Sequence, residues 1–521
     1  MASTPTSYVA TESKTALFPV ALRKTFSFSV LLGGVLAICV FLGTRFNLLD
    51  PDTWWHIRVG QEILAHGHWP SADPYSFTAA GTPWMAYEWL GEVVMALSAR
   101  GGGLFGPTIL LLVLSVTLFS LLYYYSSLRA GNSKAAFVGC LLVIAPCMAF
   151  FKLRPQLLGY IFLLLLLIIM QLFRQGRRKA IWLLPPLFLL WINTHGTFAV
   201  GLFFFGVYLL CGWFEFSKGG VFAERWGPRE RRLLLLAGVL CVLVLGITPY
   251  GLRLATYPIN LALHQPINVA TIQEWQPLSF TNPLGKVFLG LLLLFFPAQV
   301  VVGLRYRLDE LIFLLFAAFA ACTHVRFVII FLIVFTPLLA SLLALWIPRY
   351  NSSIDKPILN AALLAMLVLG MVHFVPGDSE LIEMASQHYP LDAVAYLRYH
   401  PVPGPILNDY GFGGYLIYAM SPQLKVFIDG RADIYEANGV HAAYNSIFSL
   451  EPETQDLLRK YNIQACLIQR RSPLGTFLVA TKEWDQVYAD ETSEVLVHNR
   501  RQSPEAVGPE SNIKSDAPTL E

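Results

Sequence analysis

Long apolar runs separated by short polar connections dominate the chain from residue 26 to residue 375. Eleven runs can be distinguished: 26–49, 104–128, 135–151, 156–173, 180–193, 197–216, 232–249, 286–304, 308–323, 327–347 and 357–375. A helix rises about 1.5 Å per residue, so about 20 apolar residues cross a hydrocarbon layer roughly 30 Å thick, and the shorter runs fit as tilted, broken or buried helices. Lipid offers no partner to backbone polar groups, so every run is expected to be helical. The first run follows Arg23 and Lys24 but is too long for a signal-peptide core and lacks a cleavage site; it reads as an anchor behind a disordered cytoplasmic tail over 1–25.

After residue 376 the pattern changes. Short alternating stretches at Ile406 to Asn408, Lys425 to Ile428, Ala465 to Gln469, Trp484 to Tyr488 and Glu494 to His498 predict strands. Helices at Leu391 to Arg398 and Pro452 to Tyr461 fall between them, giving a small α/β domain over 376–500, followed by a disordered tail over 501–521. The expected fold is therefore a polytopic α-helical membrane protein of about eleven spans with a C-terminal α/β domain. Two long loops, 50–103 and 250–285, interrupt the membrane region. Within the first, Thr53 to Ala65 and Trp84 to Ala99 read as helices at the membrane interface, with tryptophans in the headgroups.

Composition agrees: 55% of the 521 residues are hydrophobic and only 14% charged, against about 25% charged in soluble proteins. The net charge of +3 is scattered over short loops with no basic patch, which excludes a nucleic-acid partner. Its placement does set an orientation. Arg129, Lys134, Arg174, Arg177, Arg178, Lys179, Arg229, Arg231, Arg305, Arg307, Arg349 and Lys356 all fall in alternate connections. By the positive-inside rule these are cytoplasmic, as is the N-terminus, and loops 50–103 and 250–285 and the C-terminal domain lie outside a plasma (inner) membrane. The seven cysteines form no disulfide or CxxC pattern.

Candidate chemistry concentrates on the outer side. Asp50-Pro51-Asp52 opens the first loop, followed by His56 and Arg58. Paired carboxylates suit either a general base facing an acceptor hydroxyl or a divalent cation such as Mg2+ or Mn2+; the same triplet also suits a helix N-cap. Glu88 and Glu92 lie one helical turn apart, and Glu274 sits beside Trp275 in the second long loop. Arg154, Arg253, His324 and Arg326 lie at outer span ends with Lys152, against the prevailing charge asymmetry. Insertion free energy opposes that placement, and an anionic ligand such as a lipid-linked phosphate or pyrophosphate offsets it. His195, in Asn193-Thr194-His195-Gly196, is a substrate contact or a turn cap.

The arrangement of first span, acidic loop, many-span body and exported domain resembles the GT-C superfamily of polyprenyl-phosphate-dependent glycosyltransferases. Asp52-Thr53-Trp54-Trp55-His56-Ile57-Arg58 is similar in spacing to the Asp-Pro-Tyr-Phe-Asn-Tyr-Arg of oligosaccharyltransferase catalytic subunits. Thr271-Ile272-Gln273-Glu274 matches their bacterial Thr-Ile-x-Glu motif. Asn408-Asp409-Tyr410-Gly411, with the segment Lys425 to Gly430, resembles Trp-Trp-Asp-Tyr-Gly and the strand after it, except that Leu407 and Asn408 replace the two tryptophans that recognise the sequon. The resemblance implies an inverting glycosyltransferase taking a sugar from a polyprenyl-(pyro)phosphate donor to a glycan, lipid or protein acceptor. It implies Asp52 and Asp50 as catalytic residues, and Asp50, Asp52 and Glu274 as ligands of a divalent ion. Arg58, His56, Glu88, Arg154, His195, Arg253, His324, Arg326, Asp409 and Tyr410 would line the substrates. A transporter or flippase of lipid-linked substrates, or a non-catalytic membrane scaffold, are the rival readings, since charges within a many-span protein also mark translocation paths.

Overall fold

A computed structural model describes residues 20–264 and 272–499. The tail expected over 501–521, most of that over 1–25, and Thr271 lie outside the described residues. The described chain divides into two compact units, one of residues 20–48, 98–260 and 272–377, the other of 49–97, 261–264 and 378–499.

Each apolar run of the sequence holds a helix in the first unit: Phe28–Thr44, Phe105–Ala130, Ser133–Met148, Pro155–Arg174, Leu184–Ile192, Phe198–Cys211, Pro228–Leu243, Pro283–Val302, Leu308–Thr323, Val328–Leu343 and Pro357–His373. Local chemistry sets their ends. Asn132 accepts from the backbone N–H groups of Lys134 and Ala135 and Asn282 from that of Gly285, while proline opens the helices at 155, 228, 283 and 357. Gly131 and Gly303 close theirs at φ of 61° and 65°, a conformation in which a side chain would be strained. The chain is that of an integral membrane protein: among the described residues four helices are long and apolar enough to span a membrane, or five if the bent pair Pro357–His373 and Asp378–Ser386 is one span.

The helix Val328–Leu343 is the hub of this unit, buried along nearly its whole length against Ser133–Met148, Phe105–Ala130 and Leu308–Thr323. Pro283–Val302 is the opposite case, exposing Leu293, Leu294, Val300 and Val301 on a surface suited to lipid. At one end of the bundle, Arg174 pairs with Asp309, and Arg129 and Arg307 pair with Glu310. Three short strands adjoin that end: β1 (Phe216–Lys218) pairs antiparallel with β2 (Val221–Ala223), which pairs parallel with β3 (Tyr306–Arg307).

The second unit carries four further strands, β4 (Ile406–Asn408), β5 (Ala465–Gln469), β6 (Trp484–Ala489) and β7 (Ser493–His498). Their order is β4-β5-β7-β6, with β4 parallel to β5 and the remaining pairs antiparallel. Leu391–Tyr399 precedes β4; Tyr410–Met420, Ala432–Ala437, Val440–Phe448 and Thr454–Lys460 lie between β4 and β5, and Pro473–Ala480 between β5 and β6. The expected strand at 425–428 is not formed. Asn408 reaches across in place of a ladder, its Nδ2 donating to the Ile428 carbonyl and its Oδ1 accepting from Phe427 N–H, each at 2.8 Å. The far side of that segment forms only an isolated bridge between Val426 and Ser76.

Residues 49–97, placed with the membrane region from sequence, cluster with the C-terminal domain. Trp55, Val59, Tyr75 and Trp84 share one core with Leu407, Phe427, Ile428 and Leu467. Trp54, Trp55 and Trp84 are thus buried in protein rather than lodged in lipid headgroups, because packing against aromatic and apolar side chains removes more of their surface from water.

Two glycines permit the closest backbone approaches here. A Cβ on Gly60, within the helix Asp52–His66, would overlap the Glu92 carbonyl of the helix Trp89–Ser98, and one on Gly414 would overlap the Pro51 carbonyl. Neither backbone can swing aside as a flexible side chain would. Gly414→Ala is expected to destabilise the protein by about 1–3 kcal/mol, read as a lowered unfolding midpoint of the detergent-purified protein.

Candidate functional site

The candidate residues fall into two groups, one in each unit. In the second unit, Asp50 is the capping carboxylate: its Oδ1 accepts from Asp52 N–H at 3.1 Å, the Asx geometry of an Asp-Pro-Asp turn. Asp52 begins the helix Asp52–His66, and its Oδ1 accepts from Trp55 Nε1 at 3.1 Å while lying where a Cβ on Gly430 would stand. Asp50 is buried and Asp52 half-buried.

One turn into the helix, His56 is enclosed by two acids. Its Nδ1 lies 3.1 Å from Glu92 Oε1 and its Nε2 3.6 Å from Glu88 Oε2, with all three side chains nearly inaccessible. Burial, reinforced by the charge of Glu88, pushes the Glu92 carboxyl well above the usual carboxylate range. Trp55 lies over His56, ring centroids 3.6 Å apart. The fold brings His56 and Glu88 together, with Glu92 as the closer partner. Arg58 pairs with Glu62 at 3.0 Å, and Glu62 in turn accepts from Tyr75.

Asp409 caps the helix Tyr410–Met420 through Gly411 N–H at 2.9 Å, and burial raises its carboxyl. Tyr410 donates its backbone N–H to the Tyr444 hydroxyl at 3.0 Å. Turn chemistry thus accounts for the Asn-Asp-Tyr-Gly segment. Sequence reasoning missed Asp73, which joins Arg431 and Asp429 in a buried ion network 358 positions apart along the chain.

In the first unit, Arg154 immediately precedes the helix Pro155–Arg174, and the turn Val325–Phe327 after Leu308–Thr323 carries Arg326. Glu274 bridges Lys152 Nζ and Arg154 Nη1, at 3.3 Å each. Arg326 lies 4.3 Å from the centroid of the Trp275 ring, and His324 Nδ1 donates to the Trp275 carbonyl at 2.7 Å. His195 Nδ1 accepts from Thr197 N–H at 3.0 Å, as a turn cap would. Burial and the positive charges of Arg326 and Arg154 push His195 down to about 3, so the imidazole is neutral at physiological pH. Arg253 is exposed near the start of Leu252–His264.

Glu274, expected to share a divalent ion with Asp50 and Asp52, accepts from an ammonium and a guanidinium within the first unit. Among the described residues no group of three or more His, Cys, Asp or Glu is arranged to hold a metal ion. The Trp275 platform under Arg326 was not read from sequence, although its adjacency to Glu274 in the Gln273–Trp275 turn was the available signal.

No family model and no curated protein sequence matches the chain. Solved structures do. The apo oligosaccharyltransferase of Archaeoglobus fulgidus superposes with a TM-score of 0.51 at 12% identity, over 92% of this chain and 75% of that one. The same enzyme, AglB, in complex with an inhibitory peptide and a dolichol-phosphate gives 0.51 at 13% identity over the same shares. This chain has the fold of that oligosaccharyltransferase. The expected GT-C resemblance is thereby shown as a fold, at an identity too low to carry activity with it. ArnT from Cupriavidus metallidurans bound to undecaprenyl phosphate also matches, at a TM-score of 0.49 and 16% identity over 91% of this chain and 99% of that one.

Proposed function

We propose that this chain is a glycosyltransferase that moves a sugar from a polyprenyl-phosphate or polyprenyl-diphosphate carrier to an acceptor on the extracytoplasmic side of the membrane. The observation that carries the reading is the gathering of Lys152, Arg154 and Arg326 at one end of an apolar helical bundle. Arg154 and Arg174 bracket a 20-residue helix, which places the two ends about 30 Å apart. The Arg174 end has its cations matched by Asp309 and Glu310. At the Arg154 end, Lys152, Arg154 and Arg326 supply the charged donors that a phosphate site requires. The fold supports the same reading, since the oligosaccharyltransferase has been solved with a dolichol-phosphate.

In this reaction the acceptor hydroxyl or amide attacks the anomeric carbon from the face opposite the carrier. The new bond forms as the bond from anomeric carbon to phosphate oxygen breaks, so the anomeric centre inverts and the phosphate keeps the electron pair. Asp52 takes the acceptor's proton, and the cations of the first unit stabilise the leaving phosphate. Asp50 holds the backbone at Asp52, and His56, braced by Glu88 and Glu92, holds the Trp55 ring that donates to Asp52. Arg58, Tyr410 and Asp409 belong to the acceptor side of this proposal, and His195, His324 and Arg253 to the carrier side. Asp50 and Asp52 are the residues that would hold a divalent ion, which would supply charge neutralisation.

The test is transfer from a radiolabelled polyprenyl-phosphate sugar by the purified protein. Arg326→Gln removes a charged donor, which typically contributes about 1.5–3 kcal/mol. A ten- to hundredfold loss of apparent carrier affinity is expected on that basis, and unchanged affinity would remove Arg326 from the carrier site.

A further inference from the structure

Two helix starts and one arm of chain meet at the end of the first unit that carries Arg129. Asn132 caps the helix Ser133–Met148 through its side-chain oxygen, and its Nδ2 donates to the Ile347 carbonyl at 2.7 Å. Further along the arm, the Tyr350 ring stacks on Phe28 with centroids 4.8 Å apart. Asp355 faces the start of Phe28–Thr44, accepting from Phe28 N–H at 3.2 Å and from Asn360 Nδ2 at 2.7 Å. The stretch from Ile347 to Asp355 is thus tied down on both sides, and Arg349 lies between the ties. Its Nη2 sits 3.6 Å from where a Cβ on Gly131 would stand.

Gly131 belongs to the lip of a cavity of about 730 Å³ among the helices Phe28–Thr44, Phe105–Ala130 and Pro357–His373. The polar groups of the lip are engaged with one another: Ser29 Oγ and Ser133 Oγ bond at 2.7 Å, and the Tyr123 hydroxyl donates to the Ser29 carbonyl at 2.8 Å. Below them the wall is mainly carbon, from Gly33, Ala37, Leu128 and Leu364. Val30 and Tyr124 are exposed beside the cavity, which therefore opens sideways. From Ser29 to Ala37 it follows eight residues of helix, about 12 Å.

These features select an occupant. A cation held at one end, an apolar wall parallel to the helices and a lateral opening match a molecule with an anionic head and a hydrocarbon chain. A soluble anion would use only the first of the three. We propose that this groove binds one anionic phospholipid, its phosphate on Arg349 and an acyl chain along Phe28–Thr44. Arginine's fork of donors suits a phosphate, and basic pockets between membrane helices are a general means of holding anionic headgroups. Lys134 lies in the first turn of Ser133–Met148, where the helix dipole favours the same sign of ligand. The site is at the other end of the bundle from Lys152 and Arg154 and does not depend on the carrier reading.

The experiment titrates dioleoyl phosphatidylglycerol and dioleoyl phosphatidylcholine, alike in chains and different in head charge, onto the full-length protein in detergent, counting bound lipid by native mass spectrometry. One phosphatidylglycerol should bind about fivefold more tightly than phosphatidylcholine, the usual effect of one arginine on an anionic lipid surface. Arg349→Gln should erase that preference and Arg349→Lys should keep most of it. Ala37→Phe, which fills the wall, should weaken both lipids. Equal binding of the two lipids by the unaltered protein, or a preference that survives Arg349→Gln, overturns the proposal. Unchanged binding to Ala37→Phe would put the chain elsewhere, and a dimer that Ala37→Phe separates would give the groove to a second copy; either result overturns it as well.

Discussion

Asp52→Asn is expected to abolish glycosyl transfer while leaving the protein folded. A positioned general base contributes about 10²–10⁴-fold to a rate, and the amide cannot take the acceptor's proton. The substitution is close to isosteric, and the amide oxygen still accepts from Trp55 Nε1, so the hydrogen bond seen at Asp52 Oδ1 is preserved. The helix start is preserved too, because its capping carboxylate belongs to Asp50 and the bond uses only the backbone N–H of residue 52. Initial rates with a radiolabelled lipid-linked sugar, read beside the thermal unfolding midpoint, check both halves of the expectation. Transfer at an undiminished rate would remove Asp52 from the role of base.

Arg431→Met should produce the largest loss of stability. The guanidinium is almost wholly buried, with Nη2 2.7 Å from Asp429 Oδ2 and Nε 2.8 Å from Asp429 Oδ1, and Nη1 bonded to Asp73. The rings of Tyr75 and Trp84 lie 4.9 Å from it. Removing one partner of a buried ion network strands the others without solvent, a loss of about 3–5 kcal/mol. Two carboxylates are stranded here, so the upper part of that range is expected in denaturant unfolding. Adding Asp73→Asn and Asp429→Asn to Arg431→Met removes the stranded charges and should recover part of the loss. No recovery would mean that the network is held by its shape rather than its charge.

The membrane helices were legible because a long apolar run in lipid has one conformation open to it. Every such run holds a helix, down to the nine-residue Leu184–Ile192, which continues the 3-10 turn Arg178–Leu183. Strands β4, β5, β6 and β7 were legible from alternation, since each has one face in a core. The segment 425–428 carried the same alternation, yet its backbone partners are an amide side chain and a loop more than 300 positions away. Periodicity records burial and does not record what satisfies the backbone. The attachment of 49–97 to the C-terminal domain was hidden for a related reason. Asp73 and Arg431 look like ordinary loop charges until the fold brings them together in a dry core.

Within the candidate site, residue types were legible and partnerships were not. The acids and bases flagged near Asp52, at His56 and around Arg326 do sit in structured positions. The sequence of Glu274 suggested a metal ligand, because an acid beside tryptophan in an outer loop carries no sign of the two cations that claim it. His195 was open between substrate contact and turn cap, and its Nδ1 accepts from Thr197 N–H within that turn.

The glycine at position 60 also sets a mechanical tolerance. Residues 52 and 60 belong to one helix, which makes the Gly60 contact a pivot about 12 Å from Asp52. A tilt of about five degrees at that pivot would carry the carboxylate about 1 Å, enough to cost roughly a hundredfold in rate when a reacting group must be held in place. The absence of one methyl group deep in a protein core thus governs the aim of a carboxylate two helical turns away.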